Sequence, residues 1–194
     1  MEIEITQGWD IEYAQAAAEL YVDAFGSKFK AAVPDRNKLV TIIAKSFISE
    51  YSFAAFVDGK LVGIAGFQYG KSGFTSNMGF TGLIDELGLL GGVKAAAVFT
   101  LFERKPAPNE VVMDGIAVAK SVRGQGVGTA LLVALQRYTK QSGFHALRLD
   151  VIDSNPQAKK LYMRMGFVAS HHEDFSYLNW LIGFSGATTM LWRP

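Results

Sequence analysis

Residues 123–129 read Arg123, Gly124, Gln125, Gly126, Val127, Gly128 and Thr129. Glycines at this density let a backbone approach a ligand closely and turn its N–H groups inward. A strand pattern precedes the stretch and a helix pattern follows it. The helix would add unpaired N–H groups and the positive end of its dipole. Such a turn suits phosphate or pyrophosphate without any net positive charge. A tight strand-to-helix connection with no ligand is the other reading of the same residues. Two nucleotide motifs do not fit. A P-loop needs a lysine and a spacing that Gly124–Thr129 lacks. A dinucleotide fingerprint needs glycine or alanine where Thr129 stands. Asp150 does mimic its ribose-binding acid, but no upstream sequence supplies the rest of a doubly wound unit.

A second block begins 27 residues after Gly128 and reads Asn155-x-x-Ala158-x-x-Leu161-Tyr162-x-x-x-Gly166-Phe167. Asn155 before Pro156 is a helix start, because asparagine caps a first turn and proline fits its first position. The hydrophobic pattern supplies the elements that must hold both blocks. Val111–Val118 reads as the strand before the glycine turn. Val127 to about Ser142 reads as the helix after it, with Leu131, Leu135 and Tyr138 on one face and Gly143 at its end. Leu147, Leu149 and Val151 share one face of a strand over Ala146–Ile152.

The earlier chain carries the remaining layers. Glu2–Thr6 alternates as an edge strand. A helix capped by Asp10 and ended by Gly26 places Ala14, Ala17, Ala18, Tyr21, Val22 and Phe25 on one face. A second helix starts at Asp35 or Asn37 and buries Leu39, Ile42, Ile43 and Phe47. Phe53–Val57 and Lys60–Phe67 flank Asp58–Gly59, a dipeptide suited to the positive φ values of a type I′ hairpin. Gly166 opens a late strand, His171–His172–Glu173–Asp174 reads as a polar loop, and Thr188–Trp192 reads as the last strand. Residues 70–109 break the rhythm with repeated glycines and form an insertion of one or two helices, closed by Pro106 and Pro108. The expected fold class is α/β (α+β). A mixed, mostly antiparallel central sheet is covered by helices on both faces, with the helical insertion between the third and fourth strands. Residues 1–194 are read as a single domain.

The chain has 194 residues, a net charge of +1, 49% hydrophobic residues and no cysteine. That composition excludes a disordered tail protein, disulfides, thiolate zinc sites and a cysteine nucleophile. Absence of cysteine accords with a reducing cytoplasm. The balanced charge and the lack of a recognition motif argue against nucleic acid. The apolar stretch Gly82–Phe102 contains Asp85, Glu86 and Lys94, so no membrane span is expected. His145, His171 and His172 lack metal-ligand spacing, and no metal is expected.

Arg123-x-x-Gly126-x-Gly128 resembles the R/Q-x-x-G-x-G/A signature of the GNAT superfamily of acyl-CoA-dependent N-acetyltransferases, and the Asn155 block agrees with it. The resemblance covers Val111–Ala169 closely and the chain before Phe67 in element order only. It implies a GNAT-like fold, acetyl-CoA as cosubstrate, and acetyl transfer to a primary amine in a small molecule or peptide. With no cysteine and no serine in a nucleophile-elbow context, direct attack in a ternary complex is preferred over a covalent enzyme intermediate. A non-catalytic acyl-CoA-binding module on the same fold is the rival.

The resemblance also implies roles. The backbone of Gly124, Gln125, Gly126, Val127, Gly128 and Thr129 would hold the pyrophosphate, with Arg123 nearby. Ile116, Ala117 and Val118 would pair with the pantetheine arm, and the Val118 N–H would stabilise the oxyanion. Asn155 would contact the cofactor arm as well as cap its helix. Lys159 would meet a phosphate or stay solvated. Tyr162 would protonate the departing thiolate, against the alternative of a core tyrosine. For the amine's proton, Asp114 is preferred over Glu110 and Glu103, because period two places it on the face of Ile116 and Val118. An ordered water chain is the alternative.

The insertion's Phe74, Phe80, Phe99 and Phe102 suit an acceptor pocket, a cover for the site, a homodimer contact, or simply a folded core. Tyr177, Trp180 and Phe184 pose the same choice. Residues 119–164 carry a net +6 and the remainder −5. A basic segment for a polyanionic cofactor and an acidic rest for a cationic amine fit that split.

Overall fold

The computed structural model describes residues 1–30, 32–77, 79–101, 105–178 and 184–194. Chain order is β1 (Glu4–Gln7), α1 (Ala14–Phe25), α2 (Arg36–Ser46), β2 (Ser52–Val57), β3 (Lys60–Tyr69) and β4 (Ser72–Gly73). Then follow α3 (Phe80–Leu101), β5 (Glu110–Val118), α4 (Val127–Gln141), β6 (Ala146–Ile152), α5 (Pro156–Arg164), β7 (Val168–Asp174) and β8 (Gly186–Trp192). The sheet runs β1-β2-β3-β5-β6-β8-β7, with the short β4 paired to β3. Neighbours are antiparallel except β5 and β6, which are parallel.

Two apolar cores cover the two faces. Ala17, Tyr21 and Val22 of α1 pack with Leu39, Ile42 and Ile43 of α2 and Leu83 and Ala95 of α3 on one face. Leu131, Leu132 and Leu135 of α4 and Tyr162 of α5 pack with Val111, Leu147, Leu149 and Val151 on the other. Local chemistry explains the joints. Asp58 and Gly59 have φ of 49° and 70°, the turn that Asp-Gly favours. Asp35 accepts the N–H groups of Asn37 and Lys38 at the start of α2. Asp10 makes no such cap; a short 3₁₀ turn, Ile11–Tyr13, leads into α1 instead.

The insertion follows β3 as the β4 hairpin strand and then α3. Gly88, with φ 72° and ψ 171°, breaks α3 into two helical pieces. Lys45 of α2 pairs with Glu86 of α3. One expectation fails at the other end of the chain. His171–Asp174 is strand, not loop, and pairs with Thr189, Thr188, Ala187 and Gly186 of β8. Every β7 residue is exposed, so no apolar alternation marked it as a strand.

Candidate active site

The site grows from the parting of two strands. β5 and β6 pair only at Glu110 with Ala146, Val111 with Leu147, and Val112 with Arg148. Beyond Val112 the β6 side of β5 is open, while β3 still pairs with β5 as far as Val118. The Ala119 N–H donates to Val62 O at 2.8 Å. Backbone groups alternate along a strand, so those of Ala117 turn to β3 and those of Ile116 and Val118 turn to the open side. Arg123 Nε donates to Val118 O at 3.0 Å on that side. The Val118 N–H is left facing the gap.

The glycine turn sits beside this edge. Gly124 and Gly126 have φ of 78° and 91°, values that L side chains avoid. The first helical bond of α4 runs from the Ala130 N–H to Gly126 O at 2.9 Å. The N–H groups of Gly126, Val127, Gly128 and Thr129 precede it and make no hydrogen bond to described residues. The Gln125 N–H is spent on Val122 O at 3.3 Å, so Gln125 leaves the expected backbone set.

Gly128 marks where the sequence blocks meet. A Cβ there would lie 3.7 Å from Leu161, 3.9 Å from Ile116 and 3.9 Å from Val118. The turn, the open strand edge and α5 therefore share one corner. Asn155 caps α5 by accepting the Ala158 N–H at 3.1 Å. Tyr162 is 5% exposed on the same helix. Burial pushes its phenol well above the usual tyrosine value, so it stays protonated at neutral pH. Its hydroxyl has no hydrogen-bond partner among the described residues. It is not sealed either, since Arg148 Nε is the sole sealed and unpaired side-chain polar atom among them.

Two expectations need correction. Lys159 neither meets the turn nor stands in solvent; its Nζ donates to Thr188 Oγ1 at 3.0 Å. Thr188 also lies 3.4 Å from His172 Nδ1, and His172 lies 3.8 Å from Asp153. Asp114 does not share the face of Ile116 and Val118. Gly66 pairs with Gly115 and Phe67 with Met113, so Asp114 is the extra residue of a β-bulge. The bulge breaks period two. Met113, Ile116 and Val118 border the α4 core, whereas Ala117 belongs to the α1 core. A Cβ on Gly115 would strike the Phe25 ring of α1. The Asp114 carboxylate acts on Tyr21, also of α1. Asp114 and Gly115 thus both face α1.

Asp114 keeps partial solvent access, but protein surrounds it. That burial pushes its carboxyl up to about 7. Among the other candidate bases, Glu110 is engaged: it lies 3.3 Å from Arg148 and accepts the Ala107 N–H at 3.0 Å. Glu103, Phe102 and Trp180 lie outside the described residues, as do the side chains of Phe80 and Phe99. Phe74 is core, fully buried beside Phe47. Phe184 is also buried, while Tyr177 is exposed. Sequence reasoning did not single out Tyr21, whose apolar helix face reads as packing. Among the described residues no group of histidines and carboxylates could hold a metal ion. No helix among them is long and apolar enough to cross a membrane.

Residues 14–167 match the model of the acetyltransferase (GNAT) family. No curated protein matches the chain. Among solved structures, an N-acetyltransferase of Staphylococcus aureus is similar at TM-score 0.68 and 17% identity, over 97% of this chain and 100% of that one. A ribosomal-protein-alanine N-acetyltransferase of Escherichia coli is similar at TM-score 0.59 and 18% identity, over 99% and 94%. An acetyltransferase of Bacillus anthracis, solved with acetyl coenzyme A, is similar at TM-score 0.50 and 17% identity, over 74% and 61%. At these identities the likeness is one of fold.

Proposed function

This chain belongs to the GNAT acetyltransferase family and is an acyltransferase, and we propose that it moves an acetyl group from acetyl-CoA to a primary amine by direct attack in a ternary complex. The observation that carries this reading is the open β5 edge beside four unspent N–H groups at the start of α4. A pyrophosphate fits the N–H groups of Gly126–Thr129, where two left-handed glycines keep side chains out of the way. An amide-bearing arm fits the open edge at the Ile116 groups and the Val118 N–H, as an added strand would, with Val118 O held by Arg123. Bound acetyl-CoA supplies the activated acetyl thioester.

The chain's own residues then divide the work. Val118 donates its N–H to negative charge that develops on the carbonyl oxygen. Asp114 accepts a proton from the acceptor's ammonium, and its elevated pKa suits that task at neutral pH. Asp114, at the bulge, precedes Val118 by four residues on the same strand, so the amine sits between the base and the oxyanion donor. Tyr162, kept protonated by burial, gives its proton to the leaving sulfur. Asn155, at the start of α5, stands ready for the arm as well as the cap. Arg123, exposed beside the turn, supplies positive charge near the phosphates.

In this reading the two substrates approach from opposite faces of the sheet. The turn lies on the α4 face and the base on the α1 face, so cofactor and amine meet at the gap. The acceptor is a small-molecule or peptide amine, and the cysteine-free chain fits a reducing cytoplasm. Calorimetric titration with acetyl-CoA tests the cofactor half. Saturable binding is expected, and folded protein that binds none would sink the reading.

A further inference from the structure

The Tyr21 hydroxyl is a buried polar group that the mechanism leaves unused. Tyr21 lies on the sheet-facing side of α1 and is 8% exposed. Its ring packs 4.8 Å from that of Phe25, and a Cβ on Gly115 would strike Phe25. The two rings are tilted 57° to each other, and the tip of the Phe25 ring lies over Gly115 of the bulge. Burial and the Asp114 carboxylate both push the Tyr21 phenol up, so it is a neutral donor and acceptor at any working pH. No described residue hydrogen-bonds either the Tyr21 hydroxyl or the Asp114 carboxylate. Neither is sealed, because Arg148 Nε alone among the described residues is both sealed and unpaired. A buried hydroxyl without a partner is costly unless something fills it.

We propose that the Tyr21 hydroxyl and the Asp114 carboxylate together form the ammonium subsite of the acceptor, on the α1 face of the β5 bulge, and that this subsite takes a primary alkylammonium. The inference rests on the acetyl-transfer reading above and names its substrate class. Tyr21 accepts one ammonium N–H while Asp114 accepts another and takes the proton. The Asp114 carboxylate favours a cation over a neutral arylamine. Protons balance: one ammonium proton passes to Asp114, the nitrogen bonds the acetyl carbon, and the carbon–sulfur bond breaks as Tyr162 protonates the leaving sulfur. The nitrogen's second proton restores the Tyr162 phenol, and Asp114 releases its proton to solvent.

The test compares wild type with Tyr21→Phe, which removes one oxygen and keeps the ring. Butylamine, benzylamine, 1,4-diaminobutane and alanine amide serve as alkylammonium probes, with aniline as the neutral comparator. Thiol release at saturating acetyl-CoA is the readout. At least one alkylamine is expected to be acetylated and aniline not. On the best alkylamine, Tyr21→Phe should raise the amine KM at least tenfold, with the KM for acetyl-CoA unchanged and the melting temperature not lowered. An unchanged amine KM overturns the proposal, as does turnover of aniline alone, or of none of the five, by protein that binds acetyl-CoA. Failure to bind acetyl-CoA at all strikes the acetyl-transfer reading instead and is seen separately by calorimetry.

Discussion

Asp114→Asn separates the two consequences of burying a carboxyl at the bulge. The amide keeps the shape and cannot ionise. In the folded chain the Asp114 carboxyl is raised from 3.8 to about 7. The fold therefore favours the neutral acid. Its contribution to stability is fully present below about pH 4 and is lost as pH rises through about 7. By linkage the whole loss is about 4 kcal/mol, of which about 2.5 falls between pH 5 and pH 8. Partial solvent access trims that figure toward about 1 kcal/mol. Urea unfolding of both proteins at pH 5 and pH 8 measures it. The advantage of Asp114→Asn over wild type should grow by about 1 to 2.5 kcal/mol from the lower to the higher pH. Acetyl transfer should fall by about 10²-fold or more, the usual worth of a positioned base. A stability difference that does not change with pH would mean that Asp114 titrates like an exposed carboxylate. Asp114 would then not be a base poised near neutrality.

Three further outcomes follow from single contacts. Tyr162→Phe should lower kcat by about 10²-fold or more, the scale of a lost general acid, and leave the acetyl-CoA Kd within about twofold by calorimetry. Gly126→Ala meets no neighbouring atom, so its cost is the left-handed backbone alone, about 1–2 kcal/mol in unfolding experiments, with weaker acetyl-CoA binding because the turn shifts. Thr188→Val removes the hydroxyl that Lys159 reaches, and thermal unfolding should show a loss of about 1–2 kcal/mol with acetyl-CoA affinity unchanged.

The readable parts of this chain are those in which one local rule acts alone. Asp58–Gly59 announces its hairpin because few residues tolerate two successive positive φ values. Leu147, Leu149 and Val151 announce β6 because one face of that strand packs on helices and the other does not. The glycine turn and the Asn155 cap are likewise local. The illegible parts depend on partners far away in sequence. The bulge at Asp114 arises from its register with Gly66 and Phe67 on β3, so period two along β5 cannot reveal it. β7 has no buried face, and a strand without one carries no alternation. Lys159 reads as a surface lysine until β8 brings Thr188 beneath α5. Tyr21 reads as packing because a helix pattern says which side faces inward, not what the hydroxyl meets there. The glycine turn was thus visible, because one loop builds it. The Asp114 bulge and its Tyr21 neighbour were hidden, because separate segments assemble them.

Thiol release followed against pH tests amine acetylation with Asp114 as base. With acetyl-CoA and an accepted primary alkylamine, release should depend on the amine and yield a stoichiometric N-acetyl product. Its kcat/KM should rise with pH along a limb centred near 7, and that limb should be absent in Asp114→Asn. Acetyl-CoA binding with no amine-dependent release, or the same limb in Asp114→Asn, would contradict the account.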